Sequence, residues 1–241
     1  MLIGLLYIKN PVKILCRIFF VLLENYLFLH PPFGGFGTTM LIKIYDTNPN
    51  PSDIRRVTEV LRNKGIIIFP TDGVYAFGCD IFNSAGVEFI AKLKEHDLRK
   101  ANLSFICHEM SQISEFAKMD DVAFKLMKKN LPGPFTFILN GSSKLPKLFK
   151  NKKTVGIRMP DNPIALEIVR ELGNPLMTSS IFTDEKTTEY ITDPELIEEK
   201  YGHQVDLVVD GGFGGLIHST IVDFTEDEPV IIREGGGELQ Y

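Results

Sequence analysis

Hydrophobic positions change rhythm along the chain, and the changes mark alternating helices and strands. Ile54, Val57, Val60 and Leu61 recur at three- and four-residue spacing, the apolar face of a helix, with Ser52 placed as its N-cap. The run Gly65–Phe69 that follows has no polar position, so it reads as a strand buried on both faces. Ser84–Glu95 carries a helical pattern and Leu103–Cys107 a strand; Asp121–Asn130 is a helix stopped by Leu131-Pro132-Gly133-Pro134 before the strand Phe135–Leu139. Thr154–Arg158 is strand, Pro163–Leu172 a helix closed by Gly173, and Leu176–Ile181 strand. Asp193–Tyr201 is helical, Val205–Val209 extended, and Ser219–Phe224 with Val230–Arg233 forms a hairpin around an acidic turn. This alternation predicts one α/β domain with a mixed sheet and no internal repeats.

Residues 1–39 break the pattern, being far more apolar than anything after them. A spanning helix needs about 20 predominantly apolar residues, whereas the apolar runs here free of charge, amide or proline are short: Met1–Ile8, ended by Lys9, and Ile18–Leu23, between Arg17 and Glu24. No small-residue cleavage site precedes His30-Pro31-Pro32, so a secretory signal fits poorly. We therefore set residues 1–39 aside as an upstream-start product or disordered extension, place the domain at 40–241, and expect no stable membrane insertion.

With 44% hydrophobic residues in 241, the chain can bury a core without disulfides or metal. The formal charge of −5 hides a division. Residues 40–183 carry twenty basic and fifteen acidic residues, and residues 184–241 three and fifteen. A polyanion is drawn to the middle section and repelled by the last one. Cys16, Cys79 and Cys107 are widely spaced, which fits a reducing compartment, and the expected location is cytoplasmic. The chain has no GxxxxGK[ST], no GxGxxG after a strand, no GxSxG and no HExxH, and its five histidines lack metal-ligand spacing. Familiar phosphate cradles, hydrolase triads and a protein-held metal are thereby unsupported.

What remains are polar residues at strand-to-loop junctions, where an α/β sheet presents functional groups. In Phe69-Pro70-Thr71-Asp72-Gly73-Val74-Tyr75-Ala76-Phe77-Gly78-Cys79-Asp80, proline ends a strand, Gly73 and Gly78 are read as turns, and a hydroxyl, a carboxylate and a phenol reach the sheet's mouth. Further down come Leu131–Pro134 with Thr136, Val155-Gly156-Ile157-Arg158-Met159-Pro160 followed by Asn162-Pro163, Pro175-Leu176 leading to Ser179-Ser180, and Ser219-Thr220-Ile221-Val222-Asp223 with Arg233-Glu234-Gly235.

In this order, over nearly all of residues 41–237, these motifs resemble the YrdC/YciO family, whose best characterised members are threonylcarbamoyl-adenylate synthases acting in N6-threonylcarbamoyladenosine formation on tRNA. The resemblance implies a YrdC-like twisted open mixed sheet with flanking helices and a basic concave groove. It implies a nucleotidyltransferase reaction that joins L-threonine, bicarbonate and ATP into threonylcarbamoyl-AMP and releases pyrophosphate. Mg²⁺ would enter with the ATP, and no tightly bound cofactor is expected. Arg158, the single cation of Val155–Pro160, and Lys94 at a helix end become the catalytic candidates. Thr71, Tyr75, Thr136, Ser180, Ser219, Thr220 and Arg233 become candidates for contact with substrate and ATP. Simpler roles stand beside these: Arg158 paired with a carboxylate, Thr136 as a plain strand residue, Tyr75 as a core aromatic with a satisfied hydroxyl.

Departures from the family pattern point to the YciO branch. The synthases' Lys-x-Arg pair is Lys94-Glu95-His96 here, their Ser-x-Asn is Ser180-Ile181-Phe182, and the second Thr of the opening motif is Gly73. Each lost charge-assisted bond would weaken ATP binding by about 1.5–3 kcal/mol. The second reading is therefore a noncatalytic member of the family that binds double-stranded RNA or tRNA, with Lys147, Lys150, Lys152 and Lys153 meeting phosphates.

Overall fold

The structure is a computed structural model that describes residues 39–93, 103–149, 153–181, 188–226 and 228–241. Among these, eleven strands form one mixed sheet: β1 (Met40–Lys43), β2 (Ile67–Phe69), β3 (Ala76–Asp80), β4 (Ser104–Ile106), β5 (Ala117–Lys118), β6 (Phe135–Gly141), β7 (Thr154–Arg158), β8 (Leu176–Ser180), β9 (Leu207–Asp210), β10 (Thr220–Asp223) and β11 (Val230–Arg233). The order is β1-β9-β2-β3-β8-β4-β7-β6-β10-β11, with β5 on the end of β6. Strands β1, β9 and β2 are parallel, β3 runs against both β2 and β8, β4 parallels β7, and β6 parallels β10. Seven helices surround it: α1 (Pro51–Arg62), α2 (Ser84–Leu93), α3 (Met110–Phe116), α4 (Asp121–Asn130), α5 (Pro163–Leu172), α6 (Glu189–Thr192) and α7 (Pro194–Tyr201). The expected single mixed α/β sheet with flanking helices is what the chain forms.

Residue parity along the strands sorts side chains between two cores. Ile68, Phe77, Phe105, Phe137, Val155, Ile157, Met177 and Val208 lie on one face, under apolar residues of α2, α3, α4, α6 and α7. Ile67, Phe69, Leu176, Leu207 and Val209 lie on the other, under α1 and α5. This second cover stops part-way. Beyond it the same parity brings up Thr178 and Ser180 on β8, Ser104 on β4, Gly156 and Arg158 on β7, and Thr136 on β6, a polar strip in which Ser180, Ser104, Gly156 and Thr136 are half-buried while Thr178 and Arg158 are buried, Thr178 with its hydroxyl unpartnered. A Cβ on Gly156 would stand 3.2 Å from Thr136 Cγ2 and 3.3 Å from Ser104 Cβ, so glycine forms the floor of that strip.

Several boundaries differ from expectation for local reasons. Asn50, not Ser52, caps α1, its Oδ1 accepting the Ser52 N–H at 2.9 Å. Val60 is only partly buried and Thr58 takes a buried place in its stead, its hydroxyl bonded to the Arg55 carbonyl within the helix. Strand β3 falls where turns were expected. Gly78 sits in mid-strand because a Cβ there would meet the Phe69 ring at 2.6 Å, and its neighbours are buried on both faces, so no alternation announces them. Strand β1 and helices α3 and α6 were also absent from the pattern reading. Thr39, grouped with the leader, is tied to the domain by its hydroxyl, which donates to the Gly202 carbonyl. Residues 1–38 and the end of the expected Ser84–Glu95 helix lie outside the described residues. No helix of the described residues is long and apolar enough to cross a membrane. Asn50→Ala is expected to lower stability by about 1 kcal/mol and Ser52→Ala by much less, measured as shifts of the urea midpoint at constant slope.

Candidate functional site

The polar strip ends where four loops meet beside Arg158. Pro70 stops β2, and Thr71 then folds the chain back, its Oγ1 donating to the Val74 carbonyl at 2.8 Å and accepting the Gly73 N–H at 3.2 Å. This turn aims Asp72 at the end of β7, where Oδ1 accepts from Arg158 Nη2 at 2.7 Å and Oδ2 from the Asp161 N–H at 3.0 Å. Asn162 caps α5 through the Ala165 N–H and with its own amide reaches the Thr71 carbonyl at 3.3 Å, so the loops after β2 and β7 are sewn together. The Leu131–Pro134 turn closes a third side: Gly133 N–H donates to the Met159 carbonyl, and the Pro134 carbonyl accepts from Thr220 N–H, each at 2.9 Å.

Both partners of the Arg158–Asp72 pair are almost sealed, with 8% and 6% of their side chains exposed. Burial lowers the Arg158 pKa; the Asp72 charge and hydrogen bond pull it back up, and the nearby positive charge of Arg233 pushes it down again. Arg158 remains a cation at neutral pH, and its Nε–H is buried with no partner. Arg233 arrives from β11, half a sheet away in sequence, with Nε and Nη2 donating to the Ser219 carbonyl at 3.2 and 2.8 Å. Ser219 Oγ in turn lies 2.7 Å from Thr136 Oγ1. Two guanidiniums, one buried carboxylate and a pair of linked hydroxyls thus share one corner, an arrangement that carries net positive charge toward the open strip.

The remaining candidates divide. Ser180 ends β8 beside Tyr75, whose carbonyl accepts the Ile181 N–H at 2.9 Å. Thr220 is consumed by the fold, its buried hydroxyl donating to the Gly237 carbonyl at 2.6 Å and accepting from the N–H groups of Gly235 and Gly237 at 3.0 and 3.1 Å. Tyr75 is fully buried, and its hydroxyl also bonds only to backbone, at Gly211 and Gly212. Burial, and to a lesser degree the charges of Asp210 and Asp193, raises its pKa, so it stays a neutral phenol that both donates and accepts. Lys94, Lys150 and Lys152, like His96 and Phe182, lie outside the described residues. Lys147 and Lys153 are exposed, and Lys153 directly precedes β7 at the opposite end from Arg158, roughly 16 Å away at 3.3 Å per residue. Lys153 and the arginine pair therefore lie at opposite ends of the strand.

The Sua5/YciO/YrdC family profile, described as "Telomere recombination", matches residues 59–235. The chain belongs to this family. It is 38% identical over 200 residues to the "Uncharacterized protein YciO" of Escherichia coli K12, covering 82% of this chain and 96% of that one. The crystal structure of E. coli YciO superposes with a TM-score of 0.76 at 37% identity, over 83% of this chain and 97% of that one. The threonylcarbamoyl-AMP synthase of Bacillus subtilis is 30% identical over 197 residues, 79% of this chain and 56% of the synthase. The crystal structure of Pyrococcus abyssi Sua5 complexed with L-threonine has a TM-score of 0.73 at 27% identity, over 82% of this chain and 58% of that one. This YrdC-like chain thus matches E. coli YciO along nearly the whole of that protein, and the B. subtilis synthase and P. abyssi Sua5 along rather more than half of theirs.

The sequence offers Arg158 a carboxylate partner without naming it, and the structure names Asp72; a second feature, the glycine-rich segment that holds the Tyr75 hydroxyl, went unread. The second had a visible signal in Gly211-Gly212-Phe213-Gly214-Gly215. Breaking a buried pair on one side leaves a naked charge, at a cost of about 3–5 kcal/mol. Asp72→Leu or Arg158→Met alone is therefore expected to destabilise by that amount, and the double replacement by clearly less than the sum, read from chemical denaturation.

Proposed function

We propose that this chain is a threonylcarbamoyl-AMP synthase-like nucleotidyltransferase that uses L-threonine, bicarbonate and ATP. The observation that supports this most is the corner of Arg158 and Arg233, whose two cations outnumber the single carboxylate Asp72 and open onto an uncovered strip of hydroxyls. Transfer at a phosphoryl centre depends mainly on positioning and on fixed positive charge. The outer edge of Arg233 is the donor set to meet the phosphates or the carboxylate of the carbamate, and buried Arg158 supplies fixed positive charge behind it. Thr136, Ser219 and Ser180 offer neutral hydrogen bonds along the strip, and Lys94 is a further cation in this reading. Thr71, Tyr75 and Thr220 contribute by shaping the loops. Among the described residues no group of three or more His, Cys, Asp or Glu side chains is placed to hold a metal. Mg²⁺ would therefore ride on the phosphates of ATP.

The test is made on the full chain with Mg-ATP, L-threonine and bicarbonate. Pyrophosphate release and a threonylcarbamoyl-AMP mass are expected, and Arg233→Ala should weaken ATP binding about 10- to 100-fold, the worth of a charge-assisted bond. Calorimetry without ATP binding, together with no pyrophosphate release even in His96→Arg/Phe182→Asn, would overturn the enzyme reading.

A second reading is supported by the exposed lysines on the side of the β6–β7 connection. Lys118 and Lys153 flank the end of β6, where the Gly141 N–H donates to the Lys153 carbonyl, Lys147 is exposed on the turn that follows, and Lys144 is engaged by Glu115 at 3.3 Å. Double-stranded RNA or tRNA binding there would read backbone rather than sequence. Lys147→Gln/Lys153→Gln should reduce the salt slope of RNA binding by about two phosphate contacts; an unchanged slope would place any RNA elsewhere.

A further inference from the structure

The segment Gly211–Ile217 between β9 and β10 has no part in the reading above, yet it lies across the loop that carries Asp72. The Tyr75 hydroxyl donates to the Gly212 carbonyl at 2.7 Å and accepts the Gly211 N–H at 3.1 Å. The Tyr75 ring fills the place of a side chain at Gly214, where a Cβ would come within 2.6 Å of Cδ2. Gly214 N–H donates to the Thr192 carbonyl and Gly215 N–H to the Gly73 carbonyl, each at 2.8 Å. The Ile217 carbonyl then seats on Gly73 so closely that a Cβ there would be 2.4 Å from its oxygen. Asp210 Oδ1 holds the Gly212 N–H at 2.9 Å, at a residue with φ of 88°, which glycine adopts freely.

The side chains of this strap do little for it. Phe213, Leu216 and Ile217 are 81%, 51% and 65% exposed. Its fixation comes almost wholly from backbone bonds, and the one side chain outside it that supplies several is Tyr75. Immediately under the strap, Gly73 is bonded to Asp72, the residue that bridges Arg158 and the Asp161 N–H. Freedom in the strap would pass to Gly73, and from there to a carboxylate whose buried pair is sensitive to small displacements.

We propose that Tyr75 is a positioning residue: through the strap it clamps Gly73, and so holds Asp72 where it orients Arg158 for the anionic ligand. The ligand part of this rests on the nucleotide reading above; the clamping does not. It also gives Gly73, where the family's synthases carry threonine, a reason of its own, since a side chain there would lift the strap.

Backbone amide exchange in the full chain tests the clamp. Tyr75→Phe keeps the ring in the core and removes only the hydroxyl, and Gly73→Ala attacks the same contact from below with Tyr75 intact and without adding a polar group. Both are expected to speed exchange about tenfold at Gly211 and Gly215 and also at Asp161, whose N–H is held by Asp72. Both should weaken Mg-ATP binding about tenfold, and neither should add to the loss already present in Asp72→Asn. Faster exchange confined to the strap, with Asp161 unchanged, would overturn the proposal, as would a full extra loss of affinity in the Asp72→Asn background. Spread of exchange to Asp161 in a chain that binds no ATP would sustain the clamp and sink the nucleotide reading instead.

Discussion

A guanidinium almost cut off from water must be given a counter-charge, and most of the functional end of this molecule is arranged around that requirement for Arg158. Asp72 has to come from another loop, so Thr71 turns the chain after β2, Asn162 ties that turn to the start of α5, and the glycine strap presses on it from above. The result is a charged pair whose geometry is held by backbone bonds on several sides. Such pairs add little net stability over an apolar substitute but are costly to break singly. Under the proposed function, that asymmetry would keep a cation in one orientation for an incoming anion. It also means that loss of function on removing Arg158 would mix binding with stability, whereas Arg233, more exposed and held by a carbonyl, separates the two.

The open strip depends on a second asymmetry, the unequal covering of the sheet. One face is apolar along nearly every strand, whereas on the other α1 and α5 reach only as far as Leu176 and Ile106. Past that limit the inward-facing positions change to Thr178, Ser104, Gly156 and Thr136 without any change in strand geometry. Polarity and small size there let these positions go without a helical cover; apolar residues in the same places would call for another helix.

Much of this was legible in the sequence, and what was not has particular causes. Helices with strong caps and stops, such as Asp121–Asn130 and Pro163–Leu172, were bounded to the residue, because Asp120 and Asn162 cap them, Leu131-Pro132 stops the first and left-handed Gly173 closes the second. Strand β3 was missed because burial on both faces erases alternation and its central glycine mimics a turn. Arg158, Thr136 and Ser219 were legible as polar groups near strand ends. Their partners were not, since Asp72 and Arg233 reach them across long stretches of chain and no spacing rule connects them. Thr220 looks like a ligand-facing residue in a motif, yet its hydroxyl is taken up by glycine backbone, and of the two readings of Tyr75 the core aromatic with a satisfied hydroxyl is the one the fold forms.

The strand order sets a schedule for folding. Strand β1 lies beside β9, with Met40 opposite Leu207, and β9 also completes the side of β2 turned away from β3. On a ribosome, the first strand and the most apolar early strand therefore wait for most of the chain to emerge before their lateral bonds can close. Until then β2 presents a bare edge of the kind that recruits other chains. The antiparallel return of β3 onto β2, only a short loop away, closes one of its two sides early. Helix α1, which directly follows β1 and rests on β2, can screen a face of this nascent ribbon but not its open edge. Premature termination anywhere before residue 207 would thus leave a sticky fragment, and quality control acting on such fragments is a demand that this topology places on its host.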